Sequence, residues 1–491
     1  MMKRLPNSKV YILTSAQNVT DVHANFWKSL EFCRQFYSAV KLVLPGRYKN
    51  PTSQWTQEND KNEDWDPQVK PFLFNGRAKI TDRLIVLGDA KIPWATGAPL
   101  SRMDTLTKGM SGIVGHGNRA LRSIATPAHK HPKIMLTTGA CTVKGNYTDT
   151  KNGILGDFNH CLGAVIIETD GETFYIRELN ADYATGSFID LDMEFTPNGV
   201  RLANPALSVS LGDAHQRFIL PEVVKATFTN ESSIVNLLKP KHIIWHDLLD
   251  FHTRNHHHKD NWLSAFGKWE AGKECIRTEI EEAVGFVNRM TPKGCQSVVV
   301  SSNHDQALTR WLIEADPRKD PVNARFNHEL SLMVMDTTVM GRGGIKYDEA
   351  FPLYVENKKL AKPNVRFLRQ GQSFVLSNVE YGLHGHAGPN GARGSTKNLS
   401  IIGTKVTKGH SHAAEIIDGC YSGGTCTGQL EYEGGNPSAH SNAHVVQYAN
   451  GKRTIIFIIN GRYCLPRRLT KRKQAMLLQY EKSSGAKKQA A

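Results

Sequence analysis

The sequence predicts an α/β protein built on two packed sheets with helices outside, preceded by a separate mixed α/β unit. Three observations carry that prediction. Short apolar runs recur through the second half, and each stops at a motif of Asp, His, Asn and Gly. A helical stretch, Leu263 to Met290, lies between two such runs, which makes a strand–helix–strand unit with parallel strands. Late in the chain, Asp418-Gly419 and Asn450-Gly451 fall between apolar runs as turn signals.

Taken in order, residues 1–205 read as the leading α/β unit, with a role in assembly or in clamping a substrate. Its strand-like segments are Val10 to Thr14, Val40 to Leu44, Leu84 to Leu87, Ile134 to Thr138, Ala164 to Glu168 and Thr173 to Glu178. A helix-like stretch, Asn25 to Tyr37, separates the first two. The Pro197-Asn198-Gly199 turn precedes a crossing at Leu202 to Pro205, the expected boundary. Residues 206–465 form the motif-bearing domain. Its strands are expected at Leu207 to Leu211, His242 to Trp245, Ser297 to Val300, Phe374 to Val379 and Leu399 to Ile402 with its extension. Leu263 to Met290 reads as one long helix or two, and Gln306 to Ala315 as another. A hairpin joins Val445–Tyr448 to Thr454–Ile459. Residues 466–491 are a basic tail.

The motifs that end the strands carry the chemistry. They are GDAH (Gly212 to His215), HDLLD (His246 to Asp250), SNHD (Ser302 to Asp305), GLHGH (Gly382 to His386) and GHSH (Gly409 to His412). Open α/β folds bind ligands outside the carboxyl ends of their strands, which is where these side chains gather. Asp213, His215, Asp247, Asn303, His384, His410 and His412 are too many donors for one tetrahedral zinc and too rich in oxygen for a thiolate site. Such a set suits two divalent ions about 3.5–4 Å apart, sharing a carboxylate and holding a hydroxide for in-line attack on phosphorus. Mixed nitrogen and oxygen ligation favours Mn2+, Fe2+ or Zn2+ over Mg2+. GDFNH (Gly156 to His160), LGDA (Leu87 to Ala90) and GHGN (Gly115 to Asn118) look like fragments of the same motifs, but lack the ordered set and read as turns.

From Asp213 to His412 this order resembles the calcineurin-like metallophosphoesterases, whose blocks run D-x-H, G-D, G-N-H-D/E, H and G-H-x-H. The resemblance covers roughly residues 206–430 and implies their two-sheet sandwich flanked by helices. It also implies that Asp213, His215 and His412 bind one ion, that Asn303, His384 and His410 bind the other, and that Asp247 bridges them. His304 matches the family's catalytic histidine, which assists the leaving oxygen, and Asp305 would orient it. The chain departs from the pattern twice: His246 and Ser302 stand where the family has Gly. Within GLHGH, His384 matches the family's lone histidine, and His386 is the alternative ligand. Arg393 is a candidate phosphate clamp, and His252 with His256 to His258 reads as a polar surface loop or as a flank contacting phosphates.

A second resemblance extends over nearly the whole chain. VYILTSAQNVTDVHANFW, LTTGACTVKGNYT, HGHAGPNGARGS and the late GHSH look like the pre-early, host-DNA-degrading deoxyribonucleases of T5-like bacteriophages. That implies a metal-dependent phosphodiesterase (DNase or exonuclease) using two Mn2+ ions and hydrolysing DNA with metal-activated hydroxide. It also implies a homo-oligomer in the cytoplasm of an infected bacterium; whether the leading unit clamps DNA, mediates assembly or engages a host factor is open. A protein or nucleotide phosphatase of the same fold is the alternative. A non-catalytic DNA-binding or host-interaction protein is the alternative from another class.

Composition bounds these readings. The net charge is +15, and Arg462, Arg467, Arg468, Lys471, Arg472, Lys473, Lys482, Lys487 and Lys488 crowd the end of the chain against Glu481 alone. Such a stretch attracts polyanions by releasing condensed counterions, and otherwise serves as a solvated basic helix with a frayed end from Ser483. No apolar run reaches a membrane span, and the first residues lead straight into a strand rather than a secretory signal. The eight Cys are scattered without a C-x-x-C pair, which suits a reducing compartment and gives them no expected part in the metal site.

Overall fold

A computed structural model describes residues 2–46, 64–127, 130, 132–144, 147, 149–255, 261–342, 344–431, 434–466 and 470–489. Two large sheets organise the second half. The first has six strands in the order Val365–Phe367, Gln296–Val299, His242–Trp245, Ser208–Ser210, Ala443–Gln447 and Arg453–Phe457. Its first four are parallel, and the last two close as an antiparallel hairpin.

Alternation along these strands explains the layers. Ile243, Trp245 and Val299 face a core shared with the helices Ile276–Met290, Ala324–Asp336 and Ala350–Asn357. Ile244 and Val298, one residue out of step, pack instead on Val379 and Tyr381 of the second sheet. The strands are therefore apolar on both faces, as parallel strands must be when each face is covered. The sequence between them forms two helices, Trp262–Glu270 and Ile276–Met290, broken by a Gly272 with φ +63°.

The second sheet has ten strands and draws on both halves of the chain. Five come from the early chain, ending at Leu121–Ile124, and five from the late chain, beginning at Glu415–Ile417. The halves are stitched where Glu415 pairs with Arg122 and Ile416 with Leu121. The chain therefore does not part at residue 205 into two independent sheet systems, as the sequence suggested. One core runs through Leu13, Val86, Leu136 and Ile176 into Ile416, Val445 and Phe457, and Glu178 Oε2 accepts from the Ile455 amide at 2.8 Å. Burying one shared apolar face leaves less open edge and exposed core than two small separate units would.

Two further expectations change in detail. Leu399 to Ile402 is not a strand: Ser395 caps a helical turn, Thr396–Leu399, by accepting from the Asn398 amide at 3.1 Å, and the strand comes later, at Lys405–Lys408. Phe374 to Val379 is not one strand but a tight hairpin, Val375–Leu376 and Val379–Glu380, turning at Ser377 and Asn378 with φ 46° and 62°. The tail forms the helix Lys471–Gln489 and lies against the early half. Met476 and Leu477 pack on its core, and Arg201 donates to Tyr480 Oη at 3.3 Å. Arg467 and Arg468 lie outside the described residues, as do His256 to His258. Among the described residues no helix is long and apolar enough to cross a membrane.

Candidate metal centre

The site forms where strands of both sheets end. Asp213, Asp247 and the Ser302–Asp305 turn follow Ser208–Ser210, His242–Trp245 and Gln296–Val299 of the six-stranded sheet. His384, His410 and His412 follow Val379–Glu380 and Lys405–Lys408, neighbouring parallel strands of the ten-stranded sheet. Backbone bonds knit the first two loops together: the amides of Ala214, His215 and Gln216 donate to the carbonyls of His246, Asp247 and Leu248 at 2.9, 2.7 and 3.0 Å.

Two groups of donors result, buried except for the half-buried His410. Asp213, His215, Asp247 and His412 offer ligand atoms all within 4.8 Å of one another, and so do Asp247, His384 and His410. Asp247 belongs to both. His384 Nε2 lies 3.1 Å from Asp247 Oδ2, His412 Nε2 lies 3.3 Å from Asp213 Oδ2, and the Nε2 atoms of His215 and His412 are 3.0 Å apart. Asn303 stands on the adjoining turn, and among the described residues its buried Oδ1 has no hydrogen-bond partner, nor has Asp247 Oδ1. Buried acceptors left unsatisfied are costly unless something positive meets them.

The electrostatics point the same way. Burial, reinforced by the neighbouring Asp247 charge, pushes the Asp213 carboxyl up. Burial also acts to raise Asp247, but His384 and His304 hold it well below the usual carboxylate range. Burial lowers His384 and brings His410 down to about 4, so both imidazoles are neutral, the form that binds metal. The residues present thus fit divalent cations: buried carboxylates side by side, neutral imidazoles and an unsatisfied amide oxygen.

The backbone is bent to this arrangement. His215, Asp247, His410 and His412 all have positive φ, at 41°, 44°, 74° and 51°. Non-glycine residues held there carry strain that clusters at functional sites. Gly409 is required for a different reason: a Cβ there would lie 2.1 Å from Asp213 Oδ1 and 2.8 Å from the His246 Cβ. His246 is fully buried, with its ring 5.6 Å from that of His384 and its pKa brought down to about 4 by burial. It fills the space against Gly409.

A third group, His215, Asp250 and His304, adjoins the first. His215 Nδ1 is 3.1 Å from Asp250 Oδ1, and His304 Nδ1 is 3.0 Å from the Asp250 carbonyl. A carbonyl only accepts, so Nδ1 of His304 carries a proton. Burial opposes a charge on His304, yet Asp247 and Asp250 raise its pKa. Asp305, expected to orient His304, accepts instead from the Leu249 amide at 3.0 Å and ties the two loops together, while burial pushes its own carboxyl up to about 8. Sequence reasoning passed over Asp250, although the second carboxylate of HDLLD was the available signal.

The remaining candidates lie further out. The His386 ring is 5.5 Å from His384 and 6.2 Å from His410, and among the described residues neither of its nitrogens has a hydrogen-bond partner. His252 is half-buried edge-on to Phe218, with Nδ1 3.8 Å from Asp250 Oδ2. Arg393 is exposed on its loop, where its carbonyl accepts from Asn398. His440, in no motif, stacks edge-on to His412 at 4.7 Å. The early look-alikes are structural: His160 bonds Tyr147 Oη and the Thr142 carbonyl, and His116 bonds the Pro93 carbonyl and the Asn118 amide.

No protein-family model matches the chain, and no solved structure matches it. Among curated proteins, it is 32% identical over 475 residues to "Protein A1" of Escherichia phage T5, an alignment covering 93% of this chain and 83% of that relative. Similarity of that extent spans both halves, and the chain belongs to the family of phage T5 Protein A1.

Proposed function

We propose that this protein is a metal-dependent deoxyribonuclease that hydrolyses DNA phosphodiester bonds and degrades host DNA during phage infection. The observation that carries the reading is Asp247, shared between two groups of imidazoles and carboxylate. Asp213, His215, Asp247 and His412 would hold one divalent cation, and Asp247, Asn303, His384 and His410 the other. Manganese is the ion this mixed donor set suits best. Bound there, the ions supply Lewis acidity and lower the pKa of water beside phosphorus.

The chain's own residues do the rest. His304, with Nδ1 fixed by the Asp250 carbonyl, delivers the second proton of its imidazolium from Nε2 to the departing oxygen. Burial opposes that imidazolium, and Asp247 and Asp250 favour it by raising the His304 pKa. Asp305 fixes the turn bearing His304 against the loop bearing Asp250, so donor and acceptor keep register. The strongly basic chain suits a polyanionic substrate better than a small phosphomonoester.

Purified protein supplied with manganese should degrade duplex DNA, and a chelator should stop it. His304→Ala should keep its metal and lose about 100- to 10,000-fold in rate. Brisk hydrolysis of a small phosphomonoester with DNA left intact would replace the nuclease reading by the phosphatase one.

A further inference from the structure

Beside the turn that carries His304 opens a cavity of about 550 Å³. It is lined by Thr253, three residues beyond Asp250, and by Ala307, three beyond His304, so it adjoins the two loops that bear those residues. Its size suits a small ligand or one unit of a polymer.

Its charges are not balanced from within. Arg254 is taken up by Asp320, with Nε and Nη2 each 2.8 Å from a carboxylate oxygen, and stands 3.8 Å from Glu274. Lys268, Arg310 and Lys319 also line the cavity, and among the described residues none of them makes an ion pair. Against these three cations stands the exposed Glu314.

Lys268 is the telling member. Its helix, Trp262–Glu270, turns outward nearly everything a helix normally buries: Trp262 is 73% exposed and Trp269 64%. The residue it buries is Lys268, only 7% exposed. Burial and the neighbouring Arg254 oppose its charge, and Glu279, Glu431 and Asp250 favour it without coming within ion-pair distance among the described residues, so a desolvation cost is left that an anion in the cavity would offset. Trp311 adds a partly exposed aromatic wall on which a sugar or base can pack.

We propose that this cavity is a subsite for a flanking nucleotide of the DNA strand, its phosphate held by Lys268 and Arg310. The proposal rests on the nuclease reading above, and supplies a second grip on the strand beyond the bond being cut. It makes the enzyme prefer substrates that extend past the metal centre on the His304 side.

The test compares wild type with Lys268→Met, which keeps the apolar stem, and Arg310→Glu, at an exposed position that tolerates any side chain. Binding of a short single-stranded oligodeoxynucleotide is measured against salt concentration, alongside hydrolysis of bis(p-nitrophenyl) phosphate, which is too small to reach the cavity. Each variant should bind the oligonucleotide about tenfold more weakly, with the logarithmic salt slope reduced by about one for Lys268→Met. Hydrolysis of the small diester should match wild type. If wild type binds and cuts DNA while both variants equal it in affinity and slope, the subsite is lost and the nuclease stands. A wild type that hydrolyses the small diester but neither binds nor cuts DNA removes both. If a deoxynucleoside monophosphate binds as tightly as the strand and loses as much in the variants, the cavity takes a free nucleotide and the strand subsite is overturned.

Discussion

Gly409 shows how closely the donor residues are fitted. It has no unusual φ to protect; its role is the space a Cβ would take from Asp213 and His246. Gly409→Ala must therefore displace a buried carboxylate, and we expect it to fold yet bind manganese about 10- to 100-fold more weakly, the scale of effects on groups that orient metal ligands. Titration calorimetry checks this, and wild-type affinity in the variant would show that Asp213 is not needed where it stands. The same scale shows what the sequence could reveal. Asp213 and Asp247 were legible because each closely follows an apolar run, and His384 and His412 because they stand in Gly-His motifs late in the chain. The part played by Asp250 was not, because it depends on a backbone carbonyl and on a ring from a turn more than fifty residues away.

At the scale of elements, the helix Ala24–Tyr37 and the strand after it illustrate local consistency. His23 caps the helix by accepting from the Phe26 amide, and Ser38 ends it in the left-handed region at φ 52°. Glu31 pairs with Arg34 one turn on in the helix and joins the helix to the strand through Lys41, whose ammonium lies 3.2 Å away and 3.7 Å from the centre of the Trp27 ring. Burial acts to raise the Glu31 carboxyl, but Arg34, Lys41 and Gln35 bring it down to about 2. A carboxylate depressed in the fold stabilises above its unfolded value near 4.5, and that contribution disappears as pH falls through about 2. Glu31→Gln should thus lower the melting temperature at pH 6 and cost progressively less between pH 4.5 and 2; a deficit independent of pH would contradict the assignment. Helices and buried strands of this kind were readable from periodicity. The hairpin at Ser377-Asn378 and the turn capped by Ser395 were not, because two or three residues of turn chemistry overrode an apolar run.

Over the whole molecule, the unexpected feature is the sheet that unites the early and late chain. No local pattern announces the pairing of Leu121–Ile124 with Glu415–Ile417, since strand register between distant segments is set by which apolar faces meet. The early half thereby backs the sheet that delivers His384, His410 and His412, and the metal centre is framed by residues from both sheets rather than by one. The account rests on two cations sharing Asp247, and counting them is the most direct trial. Wild-type protein dialysed against manganese and then against metal-free buffer, analysed by native mass spectrometry, should carry two ions per chain, and Asp247→Ala should lose both. A wild type that retains none, or an Asp247→Ala protein that still holds two, would contradict it.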